Sequence, residues 1–211
     1  MGNSVKNILI SGVGGQGSVT MSRIIATAAS LAGFDVKVGE LYGAAQRGGP
    51  VTSHVRIGKK VYTPMIPKHE ADIVVSLELN ETLRVVDYMN PETLVIVNDY
   101  AIYPPSVLSG VAKYPSKEEI ESVLSKITKR VYFVPAAIYA IRQFKNVLLA
   151  NSILLGVLAT LWDLNVKEEH FSQAIEQVVK KEYIDINKKA LKLGREIAQG
   201  FKRTTEYEGE K

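Results

Sequence analysis

The sequence predicts an α/β fold of the Rossmann-like type, in which helices flank a mostly parallel sheet. Short apolar runs rich in β-branched residues recur along the chain, and segments of helical character separate them. Unbroken apolar runs are typical of strands covered on both faces, and strands that alternate with helices build parallel sheets. The predicted strands are residues 7–11, 36–38, 73–77, 94–97 and 131–134.

Helices are predicted after the first strand and throughout the C-terminal region. Residues 16–32 are rich in Ala, Ile, Met and Leu and end at Gly33, a residue type that commonly terminates helices. From Ala136 onwards the pattern is helical, with residues 147–162 as a buried helix. The last helix carries one apolar stripe, formed by Ile186, Ala190, Leu193, Ile197 and Phe201.

The region after the second predicted strand breaks this alternation and indicates an inserted β-hairpin. Residues 51–57 include several β-branched residues and follow a glycine-rich loop. Residues 58–60 resemble a turn, and residues 61–62 are interpreted as the return strand. Pro64 and Pro67 then lead the chain back to the sheet.

The composition limits the chemistry of this chain. Its 211 residues include no Cys, which excludes disulfides, thiolate nucleophiles and cysteine-ligated iron–sulfur clusters. The three histidines, His54, His69 and His170, lack metal-ligand spacing. No apolar run reaches the roughly 18 residues of a membrane span, and the N-terminus has no secretory pattern. A cytoplasmic location without membrane contact is expected.

Positive charge is concentrated near the C-terminus. Between Lys180 and Arg203 there are eight Lys or Arg residues and three acidic residues. Such a cluster can bind nucleic acid, but the helical periodicity favours the solvated face of an amphipathic helix, so no nucleic-acid partner is expected. With no linker-like stretch, residues 1–203 are expected to form a single domain, followed by a frayed polar tail at 204–211.

A G-x-G-x-x-G turn directly follows the first predicted strand and opens the first helix. Its candidate binding residues are Gly12, Gly14, Gly15, Gln16 and Gly17. Glycines permit a tight turn, and free amides at a helix start favour an anion. Glu40 follows the second strand about where a dinucleotide-binding domain carries its ribose-binding carboxylate. The turn therefore indicates nucleotide or anion binding, or else a glycine turn that only packs strand against helix.

A second glycine-rich loop contains Gln46, Arg47, Gly48 and Gly49 and could lie beside the first at the carboxyl edge of the sheet. Arg offers planar, bidentate donors for phosphate or carboxylate, and Gln supplies a donor and an acceptor. The two glycines allow close approach of a ligand or a partner chain. An anion site and a subunit interface are both compatible with this loop.

At these residues the sequence resembles a known family. The strings that carry the resemblance are GVGGQG, ELYGAAQRGGPVTSHVRIG, ADIVVSLELNETLR, VIVNDYAIYPPSVLSG and ANSILLGVLATL. They are similar, in order and over residues 7–200, to the gamma-type domain of the pyruvate/2-oxoacid:ferredoxin oxidoreductases. Within that family they look most like the small (beta) subunits of the indolepyruvate branch.

The resemblance implies a subunit of a heteromeric enzyme that oxidatively decarboxylates arylpyruvates to aryl-acetyl-CoA and reduces ferredoxin. It implies a large alpha subunit that carries thiamine diphosphate, Mg²⁺ and 4Fe–4S clusters, with coenzyme A as co-substrate. This chain lacks the Gly-Asp-Gly and Asn-Asn pattern of a thiamine site and lacks Cys, so it is expected to hold no cofactor and to be inactive alone. Two alternatives stay open: the gamma subunit of an enzyme for pyruvate, 2-oxoglutarate or branched-chain oxoacids, and a free-standing NAD(P)-dependent oxidoreductase.

Overall fold

The computed structural model describes residues 5–43, 48–162 and 165–209, with the backbone only for residues 202–209. The described residues form a six-stranded sheet with helices on both faces. The strands are β1 (Lys6–Val13), β2 (Asp35–Tyr42), β3 (Pro50–Gly58), β4 (Ile73–Ser76), β5 (Leu94–Asn98) and β6 (Val131–Val134). The α-helices are α1 (Ser18–Leu31), α2 (Pro105–Leu108), α3 (Lys117–Leu124), α4 (Ala136–Phe144), α5 (Ala150–Leu161), α6 (Glu168–Val178) and α7 (Ile184–Gly209). Shorter 3₁₀ segments cover Asn80–Tyr88, Val147–Leu149 and Lys181–Tyr183.

The strand order is β2-β3-β1-β4-β5-β6. Strands β1, β4, β5 and β6 are parallel neighbours, with Ile8 opposite Ile73 and Val75 opposite Ile96. Strand β3 runs antiparallel to both β1 and β2. Within the described sheet β3 is therefore the one reversed strand, and the prediction of a mostly parallel α/β sheet is confirmed.

The hairpin exists, but its predicted pairing is wrong. Strand β3 pairs with β2, from Asp35 opposite Gly58 to Tyr42 opposite Val51, and with β1 on its other side. Residues 61–62 are not a strand, and the Val61 N–H instead donates to the Asp35 carboxylate at 2.8 Å. Because β3 already has a partner strand on each side, no ladder position remains for a return strand.

The unbroken apolar runs follow from coverage of both sheet faces. Ile8 and Ile10 on β1 belong to the larger core cluster, which includes buried residues of α1, α5 and α7. Leu9 points to the opposite face and joins a smaller cluster beneath the 3₁₀ segment and α3. All three side chains have no exposed surface, so the period-two alternation of polar and apolar residues is lost.

Helices α5 and α7 are in direct backbone contact. A Cβ atom built on Gly156 would lie 2.1 Å from the Leu191 carbonyl oxygen, and one on Gly194 would lie 1.9 Å from the Ile153 carbonyl oxygen. The predicted apolar stripe of the last helix faces this contact and the core, with Ala190 fully buried and its other members partly buried. The stripe and the helical C-terminal region are confirmed.

Helix α7 continues to Gly209, although a frayed tail was expected from residue 204. Polar residues do not end a helix by themselves, and residues 204–208 include neither Gly nor Pro. The single domain over residues 1–203 stays a prediction. Among the described residues, no helix combines the length and the apolar character that crossing a membrane requires.

Candidate functional site at the glycine turn

The glycine turn lies at the carboxyl edge of the sheet, between β1 and α1. Gly15 and Gly17 have φ angles of +100° and +87°, a region that favours glycine because a Cβ atom is strained there. Helix α1 begins at Ser18, and none of the described side chains caps its N-terminus. The first amides of such a helix carry the positive end of its dipole. The turn therefore presents backbone donors that would stabilise an anion.

The Gln16 side chain holds the turn in place. Its side-chain oxygen accepts the Val13 N–H at 2.7 Å, and its side-chain amide donates to the Leu77 carbonyl at 2.9 Å. A Cβ atom at Gly12 would lie 2.9 Å from that same Gln16 oxygen. Gly12 and Gln16 thus close the turn onto the end of β4, so their contribution to a binding site is to hold its backbone.

Two asparagines that belong to no sequence motif complete this framework. The Asn151 side-chain amide donates to the Gln16 carbonyl at 2.5 Å. A Cβ atom at Gly17 would lie 2.6 Å from the Nδ2 atom of Asn151. Buried Asn98 donates to the Leu77 carbonyl at 3.0 Å and accepts the Ala137 N–H at 3.1 Å. In the sequence, Asn151 is visible only as a polar interruption of an apolar segment, and Asn98 only as the residue after an apolar run.

The two glycine-rich segments are in contact. The Gly14 N–H donates to the Gly49 carbonyl at 2.8 Å, and the Gly48 N–H donates to the Gly14 carbonyl at 3.3 Å. The expectation that the second loop lies beside the first is confirmed by these bonds. Gln46 and Arg47 lie outside the described residues, so their placement in the site stays a prediction.

A cavity of about 430 Å³ adjoins the turn. Its walls come from α1, from the junction of α4 and α5, and from the start of α7. Among the described residues its lining combines apolar side chains with seven amide or hydroxyl side chains and includes no charged residue. The lining residues are Gly15, Gln16, Gly17, Thr20, Met21, Ile24, Asn146, Leu148, Leu149, Asn151, Ser152, Leu155, Val179, Tyr183 and Asn187. Burying an unpaired charge there would be costly, so the cavity suits an uncharged group next to the amide donors of the turn.

Glu40 does not occupy the position of a ribose-binding carboxylate. Strand β3 separates β2 from β1, which places the backbone of Glu40 about 10 Å from β1 at ordinary strand spacing. The Glu40 carboxylate accepts hydrogen bonds from the Tyr42 hydroxyl and, at 3.3 Å, from the Ser22 hydroxyl. In a dinucleotide-binding domain the second strand is the direct parallel neighbour of the first. The feature that favoured NAD(P) binding therefore has a local structural role.

The histidines do not form a metal site in the described part of the chain, where no group of three or more His, Cys, Asp or Glu residues could hold an ion. His54 is fully buried on β3, its Nδ1 accepts the Ile66 N–H at 3.2 Å, and its ring packs edge-on against Tyr88. Burial lowers the pKa of His54 to about 4, so it is a neutral core residue.

The chain folds into an α/β domain with a mostly parallel sheet. At the carboxyl edge of this sheet lie the glycine turn, the start of α1 and the cavity. This arrangement is suited to holding an anionic ligand or a partner chain. The chain belongs to the pyruvate ferredoxin/flavodoxin oxidoreductase family, whose model matches residues 7–197.

Relatives extend over almost the whole chain. It is 45% identical to the indolepyruvate oxidoreductase subunit IorB of Archaeoglobus fulgidus, across 89% of this chain and 92% of that protein. It is 31% identical to the pyruvate/ketoisovalerate oxidoreductases common subunit gamma of Pyrococcus furiosus, across 90% of this chain and 95% of that protein. The crystal structure of the pyruvate oxidoreductase subunit PORC of Thermotoga maritima is similar with a TM-score of 0.66 and 26% identity, covering 91% of this chain and 96% of that one.

Proposed function

We propose that this chain is the small subunit of a heteromeric indolepyruvate:ferredoxin oxidoreductase. Such an enzyme oxidatively decarboxylates an arylpyruvate, passes the electrons to ferredoxin and releases the acyl group as its coenzyme A thioester. Support comes from the 45% identity to an indolepyruvate oxidoreductase subunit over nearly its full length. The cytoplasmic location and the transfer of electrons to ferredoxin through the assembled complex are parts of the same proposal.

The redox cofactors are assigned to the large alpha subunit. Thiamine diphosphate, Mg²⁺ and 4Fe–4S clusters would supply decarboxylation and electron transfer there. The residues of this chain do not fit them, because the sequence has no Cys for a cluster and no Gly-Asp-Gly and Asn-Asn pattern for a metal–diphosphate site. The isolated chain is accordingly expected to be inactive.

The proposed contribution of this chain is to hold an anionic part of coenzyme A. The proposal rests on the start of α1 and the cavity, which lie side by side at one edge of the sheet. The uncapped start of α1 offers backbone donors for a phosphate, and the uncharged cavity beside it can accept a neutral part of the same molecule. Arg47 precedes Gly48 and Gly49, which contact Gly14, so its guanidinium is proposed to pair with the same anion.

Reconstitution of the enzyme tests this function. The large subunit, this chain and the mixture are assayed for ferredoxin reduction with indolepyruvate, with and without coenzyme A. Activity is expected only for the mixture, with coenzyme A present. Turnover of an oxoacid by this chain alone, or full activity of the large subunit without it, would contradict the proposal.

A different oxoacid is the second candidate. The Pyrococcus furiosus relative is named as the common gamma subunit of pyruvate and ketoisovalerate oxidoreductases, which indicates that one small subunit can serve two substrates there. The large subunit would then determine substrate choice. Comparing kcat/KM of the reconstituted enzyme for indolepyruvate, pyruvate, 2-oxoglutarate and 2-oxoisovalerate distinguishes the two candidates.

A further inference from the structure

Residues 100–112 form a surface segment that we name the uncharged lobe. It contains no Asp, Glu, Lys, Arg or His, although 23% of the chain is charged. Four apolar side chains in it are exposed: Ile102 by 37%, Tyr103 by 53%, Leu108 by 74% and Val111 by 83%. Single exposed apolar residues are ordinary, but a contiguous apolar patch of this kind marks an interaction surface.

The lobe is ordered by its own backbone. Its short helix α2 begins at Pro105, and the N–H groups of Val111 and Ala112 both donate to the Ser106 carbonyl at 2.9 Å. The Tyr103 ring packs edge-on against Tyr114, with 4.9 Å between the ring centroids. These contacts fix the backbone without burying Leu108 or Val111. The exposed side chains are therefore presented on a defined surface.

A buried carboxylate at the sheet edge bonds to Ile102 near the start of the lobe and to Tyr114 just after its end. Glu78 follows β4 and is only 1% exposed. Its carboxylate accepts the Ile102 N–H at 2.9 Å, the Glu81 N–H at 3.0 Å and the Tyr114 hydroxyl. A buried carboxylate is tolerated only when such donors satisfy it. The fold thus uses a buried carboxyl side chain to hold a segment whose Leu108 and Val111 side chains stay exposed.

The lobe shares a sheet edge with the glycine turn. The Leu77 carbonyl, next to Glu78, accepts hydrogen bonds from Gln16 of the turn and from Asn98, which precedes the lobe. Strands β1, β4 and β5 are consecutive in the sheet, so the segments that follow them emerge side by side. A partner protein that contacts the glycine turn at this edge would also come close to the lobe.

We propose that the uncharged lobe docks onto an uncharged, apolar face of the large subunit. This inference rests on the proposed function for the existence of that subunit. The lobe carries no charge, which argues for an apolar face on the partner. Charged groups on that face would lose their water on binding and find no opposite charge on the lobe. The shared edge argues for the large subunit, since coenzyme A held at the turn, as proposed above, would have to reach the active site that this subunit carries.

The test compares two variants of the full chain. Leu108→Asp combined with Val111→Asp places charges on the lobe, and Tyr62→Asp is the matched control. Tyr62 is 77% exposed and follows β3, whose end pairs with the start of β1, at the opposite edge of the sheet. All three positions are exposed, so each variant is expected to keep the thermal unfolding transition of the wild type.

Affinity for the purified large subunit is then measured. We expect the lobe variant to bind more weakly, with a Kd at least about tenfold higher, because its new charges would lie in an apolar interface. Tyr62→Asp should bind like the wild type. Amide hydrogen exchange of residues 102–112 should slow when the wild-type complex forms. Wild-type affinity of the lobe variant, together with unchanged exchange in the lobe, would overturn the docking surface.

Two further outcomes separate this inference from the proposed function. If the wild-type chain does not bind the large subunit at all, the proposed function fails and the docking surface with it. If the lobe variant assembles normally with the large subunit but loses a concentration-dependent self-association of the isolated chain, the lobe covers a second copy of this chain. That result overturns the inference and leaves the proposed function standing.

Discussion

At the scale of single residues, His54 couples the stability of the fold to pH. Its ring has no exposed surface, and in the described structure its Nε2 has no hydrogen-bond partner. Burial lowers its pKa from 6.5 to about 4. A proton therefore binds the unfolded chain more tightly, and the stabilisation is fully present above pH 6.5 and is lost as pH falls towards 4.

The first prediction follows from this shift. Between pH 7 and pH 4 the wild type should lose about 3 kcal/mol of unfolding free energy through His54, since each pKa unit is worth about 1.4 kcal/mol. His54→Gln should flatten the dependence between pH 6.5 and 4. The control is His170→Gln, since partly exposed His170 also accepts a backbone N–H, from Lys167 at 3.1 Å. Urea unfolding at a series of pH values measures the slopes, and equal slopes for His54→Gln and the wild type would contradict the prediction.

Asn151 is predicted to position the glycine turn. Asn151→Leu removes the donor to the Gln16 carbonyl, which is expected to cost about 1–3 kcal/mol of stability because an acceptor loses its partner. In the reconstituted enzyme the KM for coenzyme A should rise, while kcat and the KM for indolepyruvate change little. Asn90→Leu is the control, because it also removes a side-chain amide that donates to a backbone carbonyl, that of His69 at 2.8 Å, but Asn90 does not line the cavity. An unchanged KM for coenzyme A in Asn151→Leu would assign Asn151 to stability alone.

Arg47 is predicted to bind the anion directly. Arg47→Ala should raise the KM for coenzyme A by on the order of tenfold or more, the size of one charge-assisted hydrogen bond, and should leave the KM for the arylpyruvate nearly unchanged. Arg47→Lys keeps the charge without the planar fork and should lie between the two. If assembly is intact and neither constant changes, Arg47 does not belong to the ligand site.

At the scale of elements, the crossing of α5 and α7 depends on two glycines. Gly156→Ala and Gly194→Ala each place a Cβ atom within about 2 Å of a backbone oxygen on the other helix. The resulting separation of the helices is expected to cost about 1–3 kcal/mol, more than the helix propensity gained. A Cβ atom on Gly200, on α7, would meet no atom of the described residues within 4 Å. Gly200→Ala should therefore stabilise by up to about 1 kcal/mol. Thermal unfolding of the three variants measures this, and equal effects would contradict the close crossing.

Elements were predictable where the signal is local. The apolar runs indicate strands β1, β4, β5 and β6, and Gly33, with φ +88°, ends the first helix as its type suggests. The partner of β3 was not predictable in the same way, because β2 was visible only as residues 36–38 while its pairing spans Asp35–Tyr42. An exposed edge strand of mixed composition has no strong periodicity.

The candidate site was predictable in its glycines but not in its supports. Gly12, Gly14, Gly15 and Gly17 follow one another in a motif, so the turn is visible in the sequence. Asn151 is 135 residues away from Gln16 along the chain, and its role depends on how α5 packs against α1. A contact of this kind has no local pattern, and the same holds for Glu78 and the cavity.

At the scale of the whole molecule, strand order distinguishes this chain from a dinucleotide-binding oxidoreductase. The reversed strand β3 lies between β1 and β2 and so places Glu40 one strand further from the glycine turn. There the Glu40 carboxylate accepts hydrogen bonds from the Tyr42 and Ser22 hydroxyls. A ribose bound at the turn would not reach the Glu40 carboxylate.

We therefore predict that NADH does not bind the isolated chain. At 1 mM NADH the unfolding temperature should stay unchanged. A ligand present at about 100 times a micromolar-range Kd would instead add about 2.7 kcal/mol to the unfolding free energy. Glu40→Gln should behave in the same way, because the carboxylate is not part of the site. Stoichiometric retention of NADH by the purified chain, lost in Glu40→Gln, would instead show that the edge strand takes part in binding despite its position in the sheet.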